Sequence, residues 1–196
     1  IEALRPSLPG GVLSDTLTPE IAFLRPLAFS ENVPALIQTK LREYRAAGIT
    51  QLILDLRSAA APGDFTTAAA MLEGFVPEGE LLFKLKQVGR DDTQLFISHQ
   101  SSLWTYPIII LIDEETGNLG ETIAGVLSRR KQAILVGSPT RGASVQYESI
   151  PIDDQWVLRF ARAEMLLPDD SSLFKKGLQP DHRIQIQMVS RLVQDE

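Results

Sequence analysis

The sequence contains no cysteine. That removes disulfides, thiolate zinc sites and a cysteine nucleophile together. Histidine is nearly absent as well: His99 and His182 are the only two, far apart in the chain, which argues against a histidine-rich metal cage. No apolar run approaches the ~18 residues a spanning helix needs. The longest candidate, Pro107 to Ile112, has the length of a strand. Positive charge is the scarcer sign: 19 Lys and Arg against 25 Asp and Glu give a formal charge of −6. This balance argues against nucleic-acid and anionic-membrane partners, which reward a positive face. Neither the G-x-x-x-x-G-K-[ST] nor the G-x-G-x-x-G phosphate cradle is present. The chain begins at Ile1 and reads as a processed or excised piece, so a missing leader carries no information.

What is present is ordinary globular composition, 44% hydrophobic and 22% charged over 196 residues, enough for one domain. Residues 1–17, with two prolines and Gly10-Gly11, read as an arm or linker before a core domain over 18–196. Residues 20–29 mix apolar and polar types, and Pro26 demotes any strand there to an edge. Ser30 or Asn32 can cap a helix with Pro34 in its first turn and Leu36, Ile37, Leu41 and Tyr44 at helical spacing, ending at Gly48. Strands follow at 51–57, 81–88, 94–98, 107–112, 132–136, 156–167 and 184–189, with helices over 66–75 and from Leu119 through Leu127. Strand–helix alternation predicts an α/β fold with a largely parallel core. Ligands in such folds bind at the carboxyl ends of strands, which singles out the loops 57–64, 113–121 and 137–146.

The residues alone leave the chemistry open. The 113–121 loop can be an anion or oxyanion site at a helix N-terminus, or a plain capped turn. The pairs Asp91-Asp92, Asp153-Asp154 and Asp169-Asp170 sit beside turn residues and read as solvated turns. Asp113-Glu114-Glu115 follows a buried strand but has no histidine beside it, so no metal and no cofactor is expected. His99, among Ser98, Gln100, Ser101 and Ser102, allows a Ser/His pair to be drawn but reads as a partly exposed loop histidine, since adjacency in sequence is not triad geometry.

Four ordered segments stand out: Leu52 to Arg57 followed by Pro62-Gly63, Ile110 to Gly125, Ala133 to Gly142, and Gly177 to Asp181. They are similar, in that order, to L-I-L-D-L-R-x-N-P-G-G, V-L-V-N-E-x-S-A-S-A-S-E-I-x-A-G, R-A-x-L-V-G-E-P-T-F-G and G-I-x-P-D, and together they resemble the tail-specific, or C-terminal processing, serine peptidases. The resemblance implies the ClpP/crotonase-like α/β fold and a polypeptide as substrate or partner. It also implies an exported location: periplasmic, cell-surface or lumenal. No stretch is long enough for the PDZ domain that many members carry.

The resemblance further implies a Ser/Lys dyad with a glutamine that orients the lysine. The motif places the serine at Asn118 and the lysine at Ala143, so both dyad members are replaced. The glutamine position falls on Gln146 if one residue is deleted after Ala143, and the oxyanion donors would be the N–H groups of Leu119 and Gly63. An asparagine amide is a poor nucleophile and alanine accepts no proton. The expectation is a non-catalytic domain that binds polypeptides. The alternatives are an active peptidase rebuilt around Thr116, Ser144 or His99, and a structural domain that forms homo-oligomers.

Overall fold

The computed structural model describes residues 11–57, 64–130, 133–153 and 155–184. Two sheets enclose three helices. Sheet A is built from β1 (Val12–Thr18), β2 (Ile21–Pro26), β3 (Gln51–Asp55), β6 (Ile108–Ile112), β7 (Ala133–Gly137) and β10 (His182–Arg183), in the order β1-β2-β3-β6-β7-β10. From β2 to β10 the neighbours are parallel, and β1 is antiparallel on the edge. Sheet B is antiparallel, in the order β5-β4-β9-β8, from β4 (Leu81–Gln87), β5 (Thr93–Ile97), β8 (Val145–Pro151) and β9 (Val157–Leu166).

The helices α1 (Val33–Ala46), α2 (Phe65–Leu72) and α3 (Leu119–Arg129) cover one face of sheet A. Strand periodicity shows in the burial. Leu52, Leu54, Ile108, Ile110, Ile112 and Leu135 are buried beneath the helices, whereas Ile109 and Ile134 on the opposite face are exposed. Sheet B closes the helix layer from the other side, with Phe83 of β4 against Phe65 of α2 at 5.8 Å between ring centroids. One continuous apolar core joins both sheets. α3 is buried from Leu119 through Leu127, as befits a central helix between two sheets.

Several elements differ from the sequence reading. Residues 12–17, read as part of an arm, form β1, held by its ladder to β2. β2 survives Pro26 because the proline is its last residue and pairs with Val12 at the sheet edge. Asn32 stands at the N-cap of α1 but makes no side-chain cap. Its Oδ1 instead accepts from Ser30 Oγ at 2.7 Å. β8 was not anticipated. The strand expected at 184–189 begins earlier, as β10, and residues from 185 onward lie outside the described part.

Candidate functional site

The site region forms where β3, β6 and β7 end side by side. Gly137 closes β7 with φ of 135°, and a Cβ there would stand 1.9 Å from the carbonyl oxygen of Ile112. Only glycine fits, so the loop after β7 can press against the end of β6. Arg141 N–H donates to the Thr116 carbonyl at 2.9 Å, which joins the loops after β6 and β7 directly.

β6 leads through Asp113 to Gly117 into Asn118, the N-cap of α3. Asn118 has φ 47° and ψ −110°, an elbow that costs an L-residue about 1–3 kcal/mol. It is 6% exposed, makes no capping bond, and its Oδ1 has no hydrogen-bond partner among the described residues. Behind it the Leu119 N–H has no acceptor among the described residues, so the positive end of α3 carries an unused donor there. Ala143 lies beside this elbow: a Cβ built on Gly117 would be 3.6 Å from Ala143 Cβ.

Glu121, in the first turn of α3, holds the arrangement together. It is fully buried. Oε1 accepts from Thr140 Oγ1 and Gly142 N, both at 2.5 Å. Oε2 accepts from Ala143 N at 2.7 Å and Ser144 Oγ at 3.0 Å. Four donors and the helix N-terminus together satisfy a carboxylate that has no cation beside it among the described residues. Thr140 in turn receives Leu178 N–H on its Oγ1 at 2.7 Å, which pulls the 177–181 segment onto the same loop. The sequence reading used Glu121 only as a motif anchor. The signal for its role was a lone carboxylate within an otherwise apolar helix.

The hydroxyls near the elbow are engaged. Ser144 is buried and donates to Glu121. Thr116 is buried, with Leu56 O at 2.9 Å and Asp113 Oδ1 at 3.0 Å as acceptors. Gln146 is half-buried at the β-bulge of β8, and no hydrogen bond among the described residues links its amide to Asn118 or Ala143. His99 is exposed and lies at the other end of the sheet. Its N–H donates to Glu73 Oε1 at 3.1 Å behind α2, in the segment that leads back to the start of β6. The structure therefore brings Asn118, Leu119, Ala143, Thr116 and Ser144 together and leaves His99 apart. Gly63 lies outside the described residues.

Next to the site, Asp55 at the end of β3 is buried. It receives Arg57 Nε and a terminal guanidinium nitrogen, each at 2.8 Å, and Arg25 approaches at 3.6 Å. Hydrogen bonding to Asp55 first, and its opposite charge, hold the Arg57 guanidinium above its ordinary pKa against the cost of burial. A cavity of about 910 Å³ lies elsewhere, at the amino ends of β3 and β6, between Phe75, Tyr106, Ile53 and Ile134. Among the described residues no cluster of carboxylates and histidines could hold a metal, and no helix is long and apolar enough to cross a membrane.

A strained elbow at the carboxyl end of a parallel strand, with a helix N-terminus behind it, defines a serine-peptidase-like α/β domain. The chain belongs to peptidase family S41, whose sequence profile matches residues 20–184. Among curated relatives, it is 23% identical over 175 residues to carboxyl-terminal-processing peptidase 2, chloroplastic, of Arabidopsis thaliana, covering 89% of this chain and 33% of that protein. It is 23% identical over 171 residues to the carboxyl-terminal-processing protease of Synechocystis, covering 87% and 39%. Among solved structures, the photosystem II D1 C-terminal processing protease superposes with a TM-score of 0.78 at 19% identity, over 92% of this chain and 50% of that one. A putative peptidase from Parabacteroides merdae gives 0.73 at 21% identity, over 93% and 60%. These superpositions establish the shared fold. The chain spans about a third of the length of the curated relatives it matches.

Proposed function

We propose that this domain is a tail-specific-peptidase-like module that binds polypeptide segments without cleaving them. The observation supporting this reading is the pairing of Asn118, at the elbow, with Ala143 beside Gly117. The first offers no hydroxyl to activate and the second no base to activate it. The two neighbouring hydroxyls already serve as structural hydrogen bonds. What remains is a helix N-terminus whose Leu119 N–H has no acceptor among the described residues, with a rim of loops around it, suited to receiving a main-chain carbonyl. The relatives are processing proteases, and an exported location belongs to the same proposal.

The test is a mass-spectrometric digest of a permanently unfolded protein, reduced carboxymethylated α-lactalbumin, beside binding of its tiled peptides. Binding without products is the expected result. Products that disappear in Ser144→Ala or Thr116→Ala would establish a rebuilt peptidase instead. Slow turnover in the double variant Asn118→Ser, Ala143→Lys would show that the scaffold still supports the chemistry. Absence of binding to every peptide would overturn the proposal.

A further inference from the structure

β8 and β9 extend beyond the rest of sheet B. β4 reaches β9 only at residues 163–166, so from Tyr147 to Ile152 and back from Trp156 to Ala161 the two strands form a ribbon alone. A two-stranded ribbon is marginal by itself in water. This one is also apolar where it faces solvent. Register places Ile150 opposite Leu158 and Glu148 opposite Phe160, and Trp156 continues the same face at the tip beside Ile152. Ile150, Ile152, Trp156, Leu158 and Phe160 are 37 to 67% exposed. The other face carries Val157, exposed, and Tyr147 with Arg159 over its ring at 4.2 Å, so there a cation is interleaved with the apolar side chains.

We propose that this face is an interface with a second copy of the chain, the two ribbons lying antiparallel about a two-fold axis. Two observations select that occupant. The first is area. Five large side chains this exposed present roughly 500 Å² per ribbon, on the scale of 150–250 Å² for one aromatic. Two ribbons face to face would then bury about 1,000 Å², the threshold a biological interface has to clear and the size of a weak, concentration-dependent one. The second is charge and shape along the ribbon. A hollow of about 460 Å³ opens at its base, lined by Val88, Arg90, Glu148, Phe160 and Arg162. Glu148 engages Arg162 at 3.5 Å, whereas Arg90 makes no ion pair among the described residues. Asp91 and Asp92 follow Arg90 in the same turn but do not line the hollow. The tip carries Asp153 next to Trp156. Antiparallel pairing sets the acidic tip of each copy over the Arg90 end of the other and seats Trp156 against Val88 and Phe160. A two-fold contact makes both matches at once and closes on itself.

The experiment is sedimentation equilibrium of the chain from micromolar to half-millimolar concentration, with tryptophan emission read in parallel. Trp104 is buried already, so a blue shift on association reports Trp156. The expected result is a mass rising toward twice 21.7 kDa with a concentration-matched blue shift. Trp156→Ser with Leu158→Ser should weaken the dimer about tenfold or more. Asp153→Arg and Arg90→Asp should each weaken it, and the two together should restore it. All four positions are exposed, but Asp153 Oδ1 also accepts the Gln155 and Trp156 N–H groups in the turn. The weakening therefore counts only in variants whose circular dichroism matches the parent, and restoration by the double exchange separates charge pairing from loss of the turn. A chain that stays monomeric throughout overturns the proposal. So does a dimer indifferent to Trp156 and Leu158, or one that the charge exchange does not restore.

Discussion

At residue scale, two of the site's buried polar side chains, Glu121 and Asn118, have opposite energetics. Glu121 meets four donors, two of them backbone N–H groups that cannot turn away. In Glu121→Gln the amide NH₂ must face either Gly142 N–H or Ala143 N–H, leaving a buried donor against a donor. That should cost about 2–4 kcal/mol. Asn118 is the reverse case. Its backbone is strained, its side chain caps nothing and its Oδ1 is unpaired among the described residues. Its dihedrals suit glycine, which adopts them in type II′ turns. Asn118→Gly should therefore stabilise the fold by about 1 kcal/mol, the relieved strain outweighing glycine's added freedom in the unfolded chain. Urea midpoints for the two variants should move in opposite directions. A stable Glu121→Gln protein would mean that the carboxylate does not hold the loops, and a destabilised Asn118→Gly protein would mean that the elbow is not strained.

At element scale, α1 is fastened to the edge of sheet A through Tyr44. Its hydroxyl reaches the carbonyls of Asp15 on β1 and Phe23 on β2, at 3.2 and 3.1 Å. Burial first, with the nearby Asp15 and Glu43 carboxylates, pushes the phenol up to about 12 from 10. The folded state therefore keeps a proton that the unfolded chain releases above about pH 10. Stability should fall as pH rises from about 10 to 12, by up to about 2–3 kcal/mol. Tyr44→Phe should remove that part of the alkaline slope in urea titrations at successive pH values, and an unchanged slope would count against it. The elements most legible in the sequence were those with one buried face or two. Ile108 to Ile112 could be placed from its apolar run, the helix from Leu119 from apolar residues on one face, and the three loops from their small residues at strand exits. β1 and β8 were not. Both are edge strands, with residues after Val12 and Val145 largely open to solvent, so no period-two pattern is imposed on them. The elbow at Asn118 became visible only through resemblance, because a strained φ leaves no mark in composition. The Glu121 cluster depends on backbone donors more than twenty positions away, which no local pattern encodes.

At the scale of the whole molecule, one core joins two sheets of different kinds. Phe83 of β4 is central to it, stacked on Phe96 at 4.5 Å and tilted against Phe65 of α2 at 5.8 Å. Buried residues of sheet A, such as Leu54 and Ile110, belong to the same cluster as Phe83, Leu85 and Met165 of sheet B. The helix layer packs on sheet A and on sheet B at once, so the loss of sheet B would expose the helices' second apolar face. Unfolding should therefore be a single cooperative transition rather than two steps. The two tryptophans allow the test, because Trp104 reports the core and Trp156 the ribbon tip. With Trp156→Phe, Trp104 emission and far-ultraviolet circular dichroism should trace one urea curve. Phe83→Ala should shift both together by about 3–5 kcal/mol, the cost of emptying a buried aromatic position. If the mutation instead separated the probes, so that sheet B melted while Trp104 stayed native, the sheets would be independent folding units. The elbow at the end of β6 would then owe its rigidity to sheet A and the helices alone.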